Sequence, residues 1–168
     1  MALNNGNGEG GNKTFINLKL VATPGPTKDK PTLVKLDADF KETDETFTNV
    51  SGKLTGLKKT FTAAKGKMGD IYWFKAFIED GEEVYVIEST ITNASKDLLN
   101  SLIPNIGEQV KISLYLNKKE YPTASVRGVD DKFVKQALDF KDLDTVALYN
   151  AIPEGKKEEE IDVDNLPF

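Results

Sequence analysis

One short segment, DIYWFKAFIED (70–80), combines aromatic rings with a lysine at the spacing of a β-strand. Successive side chains of a strand point to opposite faces, so Trp73 and Lys75 share one face while Tyr72 and Phe74 share the other. A lysine favours the solvent side, which predicts that Trp73 lies outside the core. An exposed indole beside a cation can stack on a nucleobase while the cation neutralises a phosphate. The alternative is that Trp73 covers one end of the core.

A predicted hairpin at 110–128 repeats this combination of rings and cations. Its strands alternate between apolar and polar residues, and their polar faces carry Tyr115 and Tyr121 among Lys111 and Arg127. Such a surface suits base stacking combined with phosphate contacts. The alternative is an ordinary solvated strand face with two half-buried tyrosines.

The most basic window of the chain, 52–69, has five lysines and no acidic residue. A glycine-interrupted cationic hairpin next to an aromatic strand suits a groove that follows a phosphate backbone, and the alternative is a solvated loop. The predicted nucleic-acid contacts of the whole chain are Lys53, Lys58, Lys59, Phe61, Tyr72, Trp73, Lys75, Lys111, Tyr115, Tyr121 and Arg127.

The composition excludes much of the common catalytic chemistry. The chain has no His, the usual acid/base near neutral pH, and no Cys, which excludes disulfides and thiolate chemistry. No G-x-x-x-x-G-K-[ST] phosphate loop occurs, and acidic pairs such as Asp37 with Asp39 lack the spacing of a calcium loop. We therefore expect no enzyme, no metal and no cofactor. A magnesium-dependent nuclease that uses only carboxylates stays open as a rival.

The elements that must position these residues are mostly β-strands. Alternating segments run from residue 13 to residue 127, interrupted by one helical pattern, NASKDLLNSLIP (93–104), with Asn93 or Ser95 as its N-cap and Pro104 as its stop. The middle order of three strands, a helix and two strands is that of an OB-fold, a five-stranded Greek-key barrel with a helix between its third and fourth strands. Further helical segments are predicted at 130–138 and 142–151.

The domain organisation follows from composition. Residues 1–12 are rich in Gly and Asn and are predicted to form a flexible arm, 13–152 the OB-fold domain, and 153–168 a disordered acidic tail. Five of the 27 acidic residues lie in 158–168, which has no base, so the first 157 residues balance 22 acids with 22 bases. The net charge of −5 therefore belongs to the tail and does not argue against a polyanionic ligand for the body.

The last residues, EEEIDVDNLPF, resemble the C-terminal tail of bacterial single-stranded DNA-binding proteins, which ends in several aspartates followed by Asp-Ile-Pro-Phe. In that family, the tail's terminal Pro-Phe and carboxylate dock into pockets on replication, recombination and repair proteins. The resemblance implies that Phe168 is the ring anchor, Pro167 its rigid support, and Leu166 the replacement for isoleucine. Asp162 and Asp164 would be the acidic lead that steers association.

Two departures make the chain more similar to phage-encoded binders than to the bacterial proteins. The familiar N-terminal strand motifs are missing, and no long Gly/Gln/Pro-rich linker precedes the tail. The expected function is sequence-nonspecific binding and protection of single-stranded DNA in replication, recombination and repair, in the cytoplasm, or the host cytoplasm for a phage protein. The tail would recruit partner proteins and compete with DNA for the basic groove.

The sequence leaves two matters open. One is the oligomeric state, for which a homodimer is compatible with the chain. The other is a different class of function, a β-rich structural or adaptor protein of a virion with an acidic arm. No apolar run is long enough for a membrane span, so we expect no membrane partner.

Overall fold

The computed structural model describes residues 13–23, 26–67 and 69–153. The predicted arm at 1–12 and all but Pro153 of the predicted tail lie outside the described residues. The described chain has eight strands, two α-helices and two short 3₁₀ helices, Ile103–Asn105 and Phe140–Asp142. The strands are β1 Thr14–Val21, β2 Thr32–Leu36, β3 Glu42–Phe47, β4 Asn49–Thr62, β5 Ile71–Asp80, β6 Glu83–Thr90, β7 Gln109–Leu116 and β8 Pro122–Arg127; the helices are α1 Lys96–Leu102 and α2 Thr145–Ala151.

All eight strands form one curled sheet, a half-barrel with the order β3-β2-β1-β6-β5-β4-β7-β8. Neighbouring strands are antiparallel except β1 and β6, which run parallel from Thr14 beside Glu83 to Lys19 beside Glu88. The prediction of a mainly β protein is confirmed. The predicted number of five strands is wrong, because β1, β2 and β3 belong to the same sheet.

The extra strands join the sheet along β6. An unpaired strand edge leaves a row of backbone N–H and C=O groups without partners, and β1 satisfies this row on β6. β2 and β3 then continue the sheet beyond β1. Among the described residues β6 does not pair with β8, so the sheet stays open at this seam.

The longest strand, β4, has 14 residues and changes partner along its length. Its first part, Asn49–Lys53, pairs with β7, and its second part, from Lys53 to Thr62, pairs with β5. At the change, Gly52 lies so close to β5 that a Cβ atom would sit 2.5 Å from the carbonyl oxygen of Glu79. A glycine is needed here because any side chain would push the two strands apart.

The main core lies on one face of the sheet, which we call the core face. β5 contributes Phe74, Ala76 and Ile78 to it, all fully buried. The helices cover this face with apolar residues at helical spacing, Leu98, Leu99 and Leu102 from α1 and Leu148 and Ile152 near α2. The other side of the sheet, which carries Trp73 and Lys75, is called the outer face.

The helix predicted at 93–104 is α1, and its N-cap residue is Ser95. The predicted C-terminal helical segment is α2, whose first turn is capped by Asp144, since the Ala147 N–H donates to its Oδ1 at 2.8 Å. The helix predicted at 130–138 is wrong. Buried Asn100 of α1 holds this segment instead: its Oδ1 accepts from the Leu138 N–H at 2.8 Å and its Nδ2 donates to the Leu138 carbonyl at 3.0 Å.

Each α-helix has seven residues, and none in the described part of the chain is long and apolar enough to cross a membrane.

Candidate nucleic-acid interface

Strand alternation and register divide the predicted residues of β4 and β5 between the two faces. Lys58 is opposite Lys75, and Thr60 is opposite Trp73, so these side chains share the outer face. On the core face, Lys59 is opposite Phe74 and Phe61 is opposite Tyr72. We call Lys58, Trp73 and Lys75 the outer set, and Lys59, Phe61 and Tyr72 the core-face set.

Trp73 is half-buried and its ring is held in place by a hydrogen bond. The indole Nε1–H donates to the hydroxyl of Thr62 at 3.1 Å. Because the polar atom of the ring is satisfied inside the protein, the orientation of the indole is fixed before any ligand arrives. A fixed, partly exposed ring loses little conformational entropy when it stacks on a base.

Lys58 and Lys75 are directly opposite each other in the antiparallel β4–β5 pair. Within the described residues, neither ammonium group has a carboxylate within 4 Å, and Lys58 Nζ lies 5.6 Å from the centre of the Phe77 ring. Like charges at opposite positions of a sheet destabilise it. An anion between the two lysines would remove this repulsion, which makes the pair a fitting contact for a phosphate.

A groove of about 370 Å³ runs over this part of the outer face. Trp73 and Lys75 from β5 line it, together with three outer-face residues that the sequence did not point to, Asn17, Lys19 and Glu88. Leu36 and Phe40 line its side at the β2–β3 turn. The groove therefore combines two aromatic rings with two cations, which is the composition that base stacking and phosphate contact require.

The apolar alternation of Val34, Leu36 and Phe40 predicts a strand that continues to Phe40. In the structure, Phe40 lies in a tight turn after the strand. Strand β2 stops at Leu36, and the Asp37 carboxylate accepts from the backbone N–H groups of Asp39 at 2.8 Å and Lys41 at 3.0 Å. Phe40 has φ 62° and is 66% exposed. The Asp-x-Asp signal of such a turn was present in the sequence, but it cannot reveal that Phe40 lines the same groove as Trp73.

A bulky residue at positive φ is a true outlier, because this backbone conformation favours glycine. The β7–β8 turn has the same architecture: Asn117 Oδ1 accepts from the N–H groups of Lys119 and Tyr121, and Glu120 has φ 66°. Strained residues are enriched at functional sites. The exposed ring of Phe40, at the edge of a groove that also holds Trp73, fits that rule.

The core-face set is engaged inside the protein. The Tyr72 ring lies 5.2 Å from that of Phe61 and 4.9 Å from that of Tyr149 in α2. Lys59 Nζ donates to the Tyr149 carbonyl oxygen at 3.2 Å and lies 4.7 Å from the centre of its ring. Tyr72 and Lys59 therefore hold α2 on the sheet, and Phe61 packs against Tyr72 while it stays 45% exposed. None of the three lines the groove.

The outer face of β7, β8 and the start of β4 carries four more of the predicted nucleic-acid contacts, Lys111, Tyr115, Arg127 and Lys53, while Tyr121 lies in the turn before β8. Lys111 is opposite Arg127, and both cations contact the loop after β8: Lys111 Nζ is 3.6 Å from Asp131 Oδ1, and Arg127 donates to the Asp131 carbonyl oxygen at 2.9 Å. The Arg127 guanidinium also covers the ring of Phe133 at 4.2 Å. Lys53 shares this face, and Tyr115 and Tyr121 are 40% and 44% exposed.

The predicted tail residues Asp162, Asp164, Leu166, Pro167 and Phe168 lie outside the described residues. Where the chain is described, no three carboxylates converge in a way that could hold a metal ion.

One titratable group of the described chain has a clearly shifted pKa. The Tyr85 hydroxyl donates to Glu83 Oε1 at 2.9 Å, and this hydrogen bond raises the pKa of the phenol above its usual range. Burial and the negative charges of Glu83 and Asp80 act in the same direction. Tyr85 lies on the core face, where its ring meets Phe47, and it does not belong to the groove.

No protein-family model, curated protein or solved structure matches this chain.

Proposed function

We propose that the chain is a sequence-nonspecific single-stranded DNA-binding protein whose main contact surface is the groove of Trp73, Lys75 and Phe40. The observation that carries this proposal is the pair of opposed lysines, Lys58 and Lys75, which lie beside a fixed indole and have no carboxylate within 4 Å among the described residues. The lysines bind phosphates and the rings stack on bases. Stacking accepts every base, because every base has a π face.

The strand order supports the same function. The five strands β6-β5-β4-β7-β8, with α1 between β6 and β7, have the order of an OB-fold. We propose an OB-fold core that is open at the seam between β6 and β8 and extended there by β1, β2 and β3. OB-folds bind oligonucleotides on the face of their second and third strands, which correspond to β5 and β6 here. The groove lies on that pair of strands and extends onto β1 and the β2–β3 turn.

Two more features belong to the proposal. The connection between β4 and β5 and the turn between β7 and β8 correspond to the loops that flank the ligand in OB-folds, and both carry lysines. The acidic tail recruits replication or recombination proteins through Leu166, Pro167 and Phe168 and competes with DNA for the groove, as its resemblance to the bacterial tails implies.

The test is a titration of the full chain with oligo-dT, followed through the fluorescence of Trp73, the chain's one tryptophan. We expect quenching that weakens as salt rises, because each neutralised phosphate releases counterions. The double variant K58Q/K75Q should bind more weakly, with the slope of log K against log salt reduced by about 1.4, or ~0.7 for each lost single-strand phosphate contact.

The matched control is K28Q/K141Q, which removes the same charge at two exposed sites away from the groove. Its salt slope should change much less than that of K58Q/K75Q. Equal losses in both double variants would show a diffuse charge effect and no groove. Absence of any binding at low salt would overturn the proposed function, and cleavage of the oligomer with Mg²⁺ would point to a nuclease.

A further inference from the structure

The groove holds one acidic side chain, Glu88, in the middle of a row of charges. Across the outer face, Lys58 of β4 is opposite Lys75 of β5, Lys75 is opposite Glu88 of β6, and Glu88 is beside Lys19 of β1. Side chains at such positions are neighbours across the sheet. A carboxylate here repels the phosphates that the lysines attract, so its presence needs a reason other than backbone binding.

Neither neighbouring lysine forms an ion pair with this carboxylate. The ammonium group of Lys19 turns to Glu42, with 3.1 Å between Nζ and Oε2. Within the described chain, no ammonium group lies within 4 Å of the Glu88 carboxylate, and no group donates a hydrogen bond to it. Glu88 is half-buried at the groove, so its oxygens are free to accept hydrogen bonds from a ligand there.

We infer that Glu88 reads the edge of the base that stacks at Trp73, and that this one position prefers bases with an exocyclic amino group. The inference rests on the proposed function and adds a base preference to it. An ionised carboxylate only accepts hydrogen bonds. The 4-amino group of cytosine donates to it, as does the 6-amino group of adenine.

Uracil and thymine present a carbonyl oxygen where cytosine has its amino group. A carboxylate placed for the amino group meets that oxygen with no proton between them, and the N–H donor that uracil and thymine have on this edge lies at N3, one ring position away. A polar site discriminates strongly against an analogue that leaves its groups unpaired. The rest of the protein contacts phosphates and ring faces, so the preference is confined to one base of the bound strand.

The experiment compares labelled oligo-dC and oligo-dU of about 12 nucleotides, a length within the site size of one OB-fold, by fluorescence anisotropy at neutral pH. The two bases differ only at position 4 and in the proton at N3, which keeps ring size and the backbone constant. We expect the full chain to bind oligo-dC about five- to tenfold more tightly than oligo-dU.

The variant Glu88→Gln should bring this ratio close to one, because its amide can donate to the uracil oxygen as well as accept from cytosine. The control Glu82→Gln makes the same charge change at an exposed turn and should keep the wild-type ratio. Only the ratio is decisive, since removing either acid strengthens binding to any polyanion.

The outcomes separate the two proposals. If the wild-type chain binds both oligomers equally, the inference about Glu88 is wrong while single-strand binding stands. If it binds neither, the proposed function fails and the inference fails with it. The wild-type comparison does not depend on any variant folding, and an unchanged ratio in a folded Glu88→Gln also overturns the role of Glu88.

Discussion

The outer set and the core-face set come from adjacent positions of the same two strands, yet they have opposite surroundings. In the core-face set, Tyr72 contacts two other rings, and Lys59 is bound to the carbonyl oxygen and ring of Tyr149. In the outer set, Lys75 has no ion pair in the described chain, and Trp73 makes one internal hydrogen bond that leaves its ring beside a groove.

This difference teaches how to separate structural from functional aromatic and basic residues. Both sets contain rings and lysines in the same window, so composition does not distinguish them. What distinguishes them is whether the protein itself already satisfies the cation and the ring. Groups with internal partners stabilise the fold, and groups held in place without partners are available to a ligand.

The largest expected effect on affinity and stability comes from replacing each of the two neighbouring rings, Tyr72 and Trp73, by alanine in separate variants. Trp73→Ala should weaken oligo-dT binding by about 1–3 kcal/mol, or roughly 5- to 150-fold, because one stacked base is lost. Tyr72→Ala should leave affinity within about twofold but lower the free energy of unfolding by about 2–3 kcal/mol, since it removes packing between the sheet and α2. Anisotropy of a labelled oligomer and urea unfolding measure the two quantities.

The distinction between the outer set and the core-face set is wrong if the affinity for oligo-dT depends on Tyr72 as much as on Trp73. A Tyr72→Ala protein that is fully folded at the assay temperature and binds as weakly as Trp73→Ala would place both faces of β5 in the interface. The milder Tyr72→Phe keeps both ring contacts and should behave as wild type in both measurements.

A smaller and more selective effect is expected from Phe40→Gly. Glycine accepts the positive φ of this position, so the free energy of unfolding should stay the same or rise by up to about 1 kcal/mol. Binding of oligo-dT should weaken about three- to tenfold if the exposed ring stacks on a base. A variant that is more stable but binds oligo-dT less well would show that the Phe40 ring serves ligand binding and does not stabilise the fold.

The control for Phe40→Gly is Glu120→Gly, because Glu120 has the same positive φ in the equivalent turn between β7 and β8. It should give the same change in stability, and its affinity for oligo-dT should stay the same or rise, because the change removes a negative charge from the molecule. Equal affinity of Phe40→Gly and wild type would remove Phe40 from the interface and leave the groove to Trp73 alone.

The smallest effect concerns the core face. The raised pKa of Tyr85 means that folding favours the protonated phenol, so its contribution to stability is complete below about pH 10, the usual pKa of Tyr. This contribution is lost as the pH rises through the raised pKa of the folded state. Tyr85→Phe should therefore show a shallower loss of the free energy of unfolding above pH 10 than wild type.

The second variant for this test is Glu83→Gln, since the hydrogen bond to Glu83 is the main cause of the shift. It should flatten the same part of the stability curve. Neither variant should change oligo-dT affinity at neutral pH, because Tyr85 lies on the face opposite the groove. Parallel curves for wild type and both variants would contradict this assignment.

Several features could be predicted because they depend on local patterns. The alternation of Val110, Ile112 and Leu114 specified which face of β7 is buried, and all three are buried. Leucines at helical spacing between Ser95 and Pro104 specified α1. The segment at 130–138 was misread as a helix because its backbone is held by Asn100 and Asn105, which lie 38 and 30 residues before their partners in the chain.

The number of strands in the sheet and the membership of the groove could not be predicted in the same way. β1 pairs parallel with β6 and does not form a separate hairpin layer. This pairing depends on the free edge of β6, whose residues lie far from β1 in the sequence. Phe40, Lys19 and Glu88 were missed for the same reason, since they line one groove with Trp73 only in the folded sheet.

The sequence by itself determined the β-rich class, the faces of the individual strands, the two α-helices and the concentration of negative charge in the last eleven residues. These properties follow from side-chain period, capping residues and charge counts, which act over a few residues. Only the tertiary structure decided which rings and lysines are satisfied internally and which are not. That outcome depends on partners far apart in the chain, such as Tyr149 for Lys59 and Glu42 for Lys19, which local patterns do not encode.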